Sequence, residues 1–315
     1  MNSLRVNSWK VISLSVLFLA LPGWAIAQTA YDGIVVFGTS LSDPGNVFAL
    51  TGEQSTPPYN TLDPLIIPSA PYAKGGHHFS NGSTWIEQLA RSLGLSAYAN
   101  PAFKGKSAKA ANYAIGGARA RNVSVGASLS AEVNTFLQDS GNAALPDALY
   151  VIEFGGNDIR DALASGDPSI LNSALTAIGG NIQLLYNAGA RNFFVWNAPN
   201  LKLTPAVQML GPTAIMYAEM FSQGFNAGLG GVLSGLASLP GITIISFDAY
   251  GILDSLVSDP DSFGLSVVDA PCVKPNDPPF ECKAPDDFLF WDVIHPTKAV
   301  HAILAQNAAI VLAQQ

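Results

Sequence analysis

The chain has 315 residues, a formal net charge of −8, 49% hydrophobic residues and 12% charged residues, about half the roughly 25% charged share of ordinary soluble domains. A net-negative chain of this kind excludes nucleic-acid recognition through phosphate contacts and offers no basic patch to anionic lipid. Its length allows one large domain or two small ones.

Arg5 and Lys10 form a basic start, residues 11–24 are apolar around Pro22-Gly23, and Ala25-Ile26-Ala27 has the small-x-small form of a signal-peptidase site. The apolar run is short for a membrane span. The expectation is a signal peptide over residues 1–27 and an exported mature domain over 28–315, secreted or periplasmic, with no stable membrane anchor. Cleavage before Gln28 removes two positive charges and leaves 288 residues at net charge −10.

Ile34-Val35-Val36-Phe37-Gly38 is a short apolar run rich in β-branched residues that ends in glycine, the pattern of a buried strand. Thr39 and Ser40 follow, and Asp43-Pro44 predicts an N-cap with proline at the first helical position. Ser40 then stands at the carboxyl end of a strand, where open parallel sheets present their chemistry. It is a candidate nucleophile if a base and an oxyanion hole exist elsewhere.

Residues 51–72 are proline-rich and irregular, either a binding loop or a plain surface connection. Ser80-Asn81-Gly82-Ser83 is expected to cap a helix over 84–93 that ends at Gly94. His77-His78 lies outside any metal-ligand spacing and is expected on the surface. Residues 110–119 predict a strand ending in Gly116-Gly117, and residues 149–154 another ending in Gly155-Gly156-Asn157-Asp158. A helix over 168–186, a strand over 192–196, a helix over 214–236, a strand over 242–247 and a final helix over 297–312 complete the series. Strands alternating with helices specify a doubly wound α/β sheet, and no repeat or composition break divides it into domains. Cys272 and Cys282 lie ten apart in a proline-rich stretch, so in an exported chain they are expected to form a disulfide.

A hydrolytic serine needs an imidazole to take its proton and a carboxylate to orient that imidazole. Of the four histidines, His295 stands in a loop before the last helix with Asp292 three residues upstream, whereas His301 lies among alanines and is expected on the surface. Oxyanion donors must be preorganised where charge develops. The Ser40 and Gly117 N–H groups and the Asn157 side-chain amide, all at strand ends, are the candidates.

These blocks resemble those of the GDSL lipase/esterase family, the SGNH hydrolases: Gly38-Thr39-Ser40-Leu41-Ser42-Asp43-Pro44-Gly45-Asn46, residues 112–118, Gly155-Gly156-Asn157-Asp158 and Asp292-Val293-Ile294-His295-Pro296. Phe79-Ser80-Asn81-Gly82 with Trp85 further resembles the longer branch found in plants and in bacterial secreted lipases. The resemblance implies Ser40 as nucleophile, His295 as general base and then acid, and Asp292 as its orienter. It implies Ser40, Gly117 and Asn157 as the oxyanion hole. It also implies a three-layer α/β/α, flavodoxin-like parallel sheet and no metal or organic cofactor. Thr39 departs from the pattern, standing where the family usually has an aspartate. No Gly-x-Ser-x-Gly occurs, which counts against the ordinary α/β-hydrolase elbow.

The leading expectation is a secreted serine esterase acting on small-molecule or lipid esters through an acyl-enzyme. Phospholipase, lysophospholipase or acyltransferase chemistry on the same triad is the first alternative. Carbohydrate deacetylation is another, with Tyr59, Tyr72 and Trp85 as possible sugar platforms. A non-catalytic binding protein of the same fold is the alternative from outside enzymology.

Overall fold

A computed structural model describes residues 31–51, 77–105, 109–274 and 281–315. The expected signal peptide, most of the 51–72 loop, Tyr59 and Tyr72 lie outside the described residues.

Four parallel strands, β1 (Gly33–Gly38), β2 (Ala148–Glu153), β3 (Asn192–Trp196) and β4 (Thr243–Phe247), pair in that order. The segment around Asn112 runs parallel along the free side of β1: Val36 N–H donates to the Ala111 carbonyl and the Val36 carbonyl accepts from Tyr113 N–H. Counting that segment, the spatial order is second, first, third, fourth, fifth, which is the flavodoxin-like order, and its switch point lies beside β1.

The strands are apolar on both faces because both faces are covered. Val35, Phe37, Tyr150, Ile152, Phe193 and Val195 pack under α3 (Leu129–Asp139), α4 (Gly156–Ser165), α5 (Ser169–Ala188) and α7 (Pro212–Leu236). Ile34, Val36, Leu149, Val151, Phe194 and Trp196 pack under α2 (Trp85–Ser92), α8 (Ala249–Ser258) and α9 (Lys298–Leu312). This is the expected three-layer α/β/α sandwich. The edge strand β4 differs, exposing Thr243 and Ser246 while burying Ile245 and Phe247.

Short pieces complete the described chain: α1 (Asn46–Thr51), α6 (Pro205–Gln208), and a two-stranded parallel pair, β5 (Val267–Pro271) with β6 (Phe288–Phe290). Cys272 and Cys282 are joined by a disulfide just after β5. No helix among the described residues is long and apolar enough to cross a membrane.

Several local expectations need correction. The helix after the Ser40 turn begins at Asn46 rather than at Pro44, although Asp43 still caps it by accepting from the N–H groups of Asn46 and Val47. The cap of α2 is Thr84 itself, in a reciprocal capping box with Glu87, and not the preceding Ser80–Ser83 run. Helices α3, α4 and α8 were not expected. α4 starts directly on the glycines that read as a turn, and Gly155, at φ +117°, makes the sharp entry while a Cβ there would press into the Phe225 ring.

Two histidines expected on the surface are buried. His78 sits 2.8 Å from the Glu87 carboxylate. His301 accepts from Trp85 N–H through Nδ1 at 3.1 Å, which joins the start of α2 to α9. Trp85, a possible sugar platform from sequence, is wholly buried and donates from Nε1 to Ser42 Oγ, so it cannot stack on a ligand.

Candidate active site

β1 ends at Gly38 and the chain turns at once, with Ser42 N–H closing back on the Thr39 carbonyl at 3.0 Å. Ser40 occupies the middle of that turn and is 9% exposed. The turn is tied to its neighbours by the motif residues around it. Asp43, fully buried, accepts from the N–H groups of Gly45, Asn46, Val47 and Gly116. Burial pushes the Asp43 carboxyl up, against the pull of those backbone donors. Asn46 donates to the carbonyls of Asn112 and Ala114, and Asn112 donates in return to the Ser42 carbonyl. Two stretches some seventy residues apart therefore form one rigid platform.

Across from Ser40, the loop between β6 and α9 carries His295 and Asp292, which are 1% and 0% exposed. His295 Nε2 lies 2.8 Å from Ser40 Oγ, and His295 Nδ1 lies 2.7 Å from Asp292 Oδ2. The other carboxylate oxygen of Asp292 accepts from the N–H groups of Ile294 and His295 at 2.8 and 2.7 Å. Three donors thus fix this carboxylate, and it leaves Nδ1 protonated and Nε2 free to accept.

The Phe79–Asn81 segment braces this loop. Ser80 Oγ donates to the Pro296 carbonyl, Lys298 N–H donates to Asn81 Oδ1, and the Phe79 ring lies 5.4 Å from the His295 ring. Phe79 also presses on Gly116, where an added Cβ would meet it at 2.2 Å. The small residue in that part of the motif is required by the close approach.

The three candidate oxyanion donors differ in what they already hold. Gly116 N–H is committed to Asp43, whereas the Ser40 and Gly117 N–H groups have no acceptor among the described residues. Gly117 adopts φ +80°, a conformation that glycine reaches without strain. Asn157, in the first turn of α4, donates one amide hydrogen to the Ala118 carbonyl at 2.9 Å and accepts from Arg160 at 3.4 Å. The amide is thereby oriented with its second hydrogen available, at the positive end of a helix dipole.

Two carboxylates not anticipated from sequence sit beneath the turn. Glu132 of α3 accepts from Gly38 N–H at 2.9 Å and from Ile115 N–H at 3.2 Å, and Glu153 of β2 accepts from Thr39 and Ser42. Burial pushes Glu132 well up and Glu153 to about 7. An acidic residue inside the otherwise apolar run 149–154 is the signal that could have marked Glu153.

A pocket opens beside the serine. Leu41, Trp196, Leu201, Leu253, Phe290 and Ile294 supply much of its apolar wall, and Ser40, Asn157 and His295 face into it. A serine hydroxyl against a carboxylate-held imidazole, with backbone donors and an apolar slot beside it, is an arrangement suited to acyl transfer.

Comparison with known proteins agrees with that chemistry. Residues 34–308 match the sequence model of the GDSL-like lipase/acylhydrolase family. A phosphatidylcholine-sterol acyltransferase of Aeromonas hydrophila is 27% identical over 351 residues, spanning 98% of each chain. The GDSL esterase/lipase LIP-4 of Arabidopsis thaliana is 26% identical, over 94% of this chain and 90% of its own. A thermolabile hemolysin of Vibrio parahaemolyticus is 26% identical over 90% of this chain, which spans 64% of the hemolysin. The match over nearly the whole chain makes this protein a serine hydrolase of the GDSL-like lipase/acylhydrolase family.

Proposed function

We propose that the protein is an exported esterase that cleaves carboxylic esters of apolar acids through an acyl-enzyme on Ser40. The observation that carries the reading is the 2.8 and 2.7 Å relay from Ser40 Oγ through His295 to Asp292. Ser40 Oγ attacks the ester carbonyl while its proton passes to His295 Nε2, and Asp292 stabilises the imidazolium. The oxyanion takes hydrogen bonds from the Ser40 and Gly117 N–H groups and the Asn157 amide. Collapse expels the alcohol, which takes the proton from His295. Water then repeats the sequence on the acyl-enzyme, releasing the acid and restoring Ser40.

The apolar wall of the pocket favours a hydrocarbon acyl chain as its occupant. The same wall, with relatives named as an acyltransferase and a hemolysin, supports a second reading in which lipid is the acyl donor. The disulfide and the leader-like residues 1–27 support export, with residues 28–315 as the mature domain.

The decisive experiment is Ser40→Ala assayed on an activated short-chain ester, with fluorophosphonate labelling of the parent enzyme. The expected results are loss of more than a hundredfold in rate and a label on Ser40. Retention of more than a hundredth of the rate by folded variant refutes the assignment. Micellar phospholipid set against a soluble ester separates the two substrate readings, since a lipid enzyme gains rate above the aggregation threshold.

A further inference from the structure

We infer that Glu153 is a positioning residue for the nucleophile, supplying from the neighbouring strand the carboxylate that position 39 lacks; this rests on Ser40 being the nucleophile. The family pattern has an aspartate immediately before the serine, and this chain has Thr39 there. Glu153, at the last position of β2 and 4% exposed, lies directly beside that gap. Its Oε2 accepts from Thr39 N–H at 2.9 Å, and both its oxygens accept from Thr39 Oγ1, at 3.0 and 3.1 Å. Oε2 also accepts from Ser42 Oγ at 3.1 Å, and Ser42 Oγ in turn accepts from Trp85 Nε1 at 3.0 Å.

One carboxylate therefore grips the residue before Ser40 and the residue two after it. Between those anchors lie the Ser40 N–H, an oxyanion donor, and the Cα that aims Oγ at His295. Every partner of Glu153 donates, so the ionised form is the one whose contacts are all satisfied. Protonation turns one acceptor into a donor and forces a hydroxyl to swing away. Burial raises this ionisation from the usual carboxylate range to about 7. The charged and titratable groups that neighbour it are Glu132 of α3, together with Arg160 of α4 and His295, which line the same pocket. Glu132 grips Gly38 and Ile115, not the serine turn itself, so it does not duplicate the role.

The test uses Glu153→Gln, Thr39→Val, Thr39→Asp and the swap Thr39→Asp/Glu153→Thr, with kcat and KM measured across pH on a soluble ester. Glu153→Gln should lose about 10- to 100-fold in kcat with KM changed less than about threefold, the range of a lost positioning contact. In the parent the Glu153 ionisation contributes to the acid limb of log kcat/KM. In Glu153→Gln that contribution is lost and the acid limb is less steep. Thr39→Asp alone crowds two carboxylates onto the same donors and should lose more activity than Glu153→Gln, whereas the swap should recover at least tenfold over Thr39→Asp. Thr39→Val, nearly isosteric, keeps the fold, deletes one donor to the carboxylate and should move the acid limb upward.

Parent-like kcat and slope in folded Glu153→Gln overturn the inference, as does a swap no better than Thr39→Asp. Should neither of those variants fold, an unmoved acid limb in Thr39→Val overturns it. Failure of the nucleophile assignment is distinguishable, because Ser40→Ala would then stay active; failure of this inference alone leaves Ser40→Ala inactive.

Discussion

Replacing Asp292 by asparagine isolates the orienting role of its carboxylate, because shape and volume are kept. The asparagine has two orientations. In one, its oxygen keeps the N–H groups of Ile294 and His295, now held at 2.8 and 2.7 Å, and its NH2 faces His295 Nδ1. The ring must then place its proton on Nε2, and it can no longer take the proton of Ser40. In the other orientation the ring keeps its useful tautomer, but two buried backbone donors lose their acceptor at about 1–3 kcal/mol each. The first orientation therefore dominates by roughly 2–6 kcal/mol. The imidazolium of the transition state also loses its counter-charge. Together these effects give an expected loss of about 10³–10⁴ in kcat, or roughly 4–5 kcal/mol of barrier. The measurements are kcat and KM on a soluble ester, the rate of fluorophosphonate labelling at Ser40, and a thermal melt to establish folding. A folded Asp292→Asn that keeps more than a tenth of parent kcat refutes the relay through His295.

Three further outcomes are expected. Asn157→Ala should lower kcat about 10²–10³-fold with KM little changed, since its amide acts on the oxyanion and not on the ground-state ester; an equal loss spread into KM would contradict this. Burial, with a smaller contribution from the His78 and His295 charges, pushes the His301 imidazole down to about 3, so it folds neutral and its stabilisation is lost as pH falls from about 6.5 toward 3. His301→Leu leaves Trp85 N–H without its acceptor and should cost about 1–3 kcal/mol at pH 8, with the gap to the parent narrowing by pH 5 in urea titrations; a gap that is constant with pH would refute the neutral buried ring. Cys272→Ser/Cys282→Ser should lower stability by on the order of 2–3 kcal/mol through loop-closure entropy, seen as a lower melting temperature that reductant no longer changes.

The sequence by itself determined the layered architecture and the residues set around Ser40. Runs such as Ile34 to Phe37 and Phe193 to Trp196 are apolar at every position, and only a strand covered on both faces satisfies that pattern. Ser40, Asp292 and His295 were legible because four separated blocks resemble, in order, those of the GDSL family, whereas the Ser40 turn and the Asp292-x-x-His295 spacing are each weak signals alone. The choice of Gly117 over Gly116 was not settled by that resemblance, and the commitment of Gly116 N–H to Asp43 is what favours it.

What the tertiary structure decided is where polar groups meet in the interior. His78 and His301 read as surface residues because their partners, Glu87 and the Trp85 amide, stand at the start of α2, with His301 on a different helix. Glu132 and Glu153 carry no role in the sequence pattern, and only the folded chain brings them under one turn. Apolar burial leaves a periodic trace along the chain, because each element must turn one side inward. A buried hydrogen bond between distant segments leaves none, because what fixes it is a single direction in space rather than a spacing in sequence.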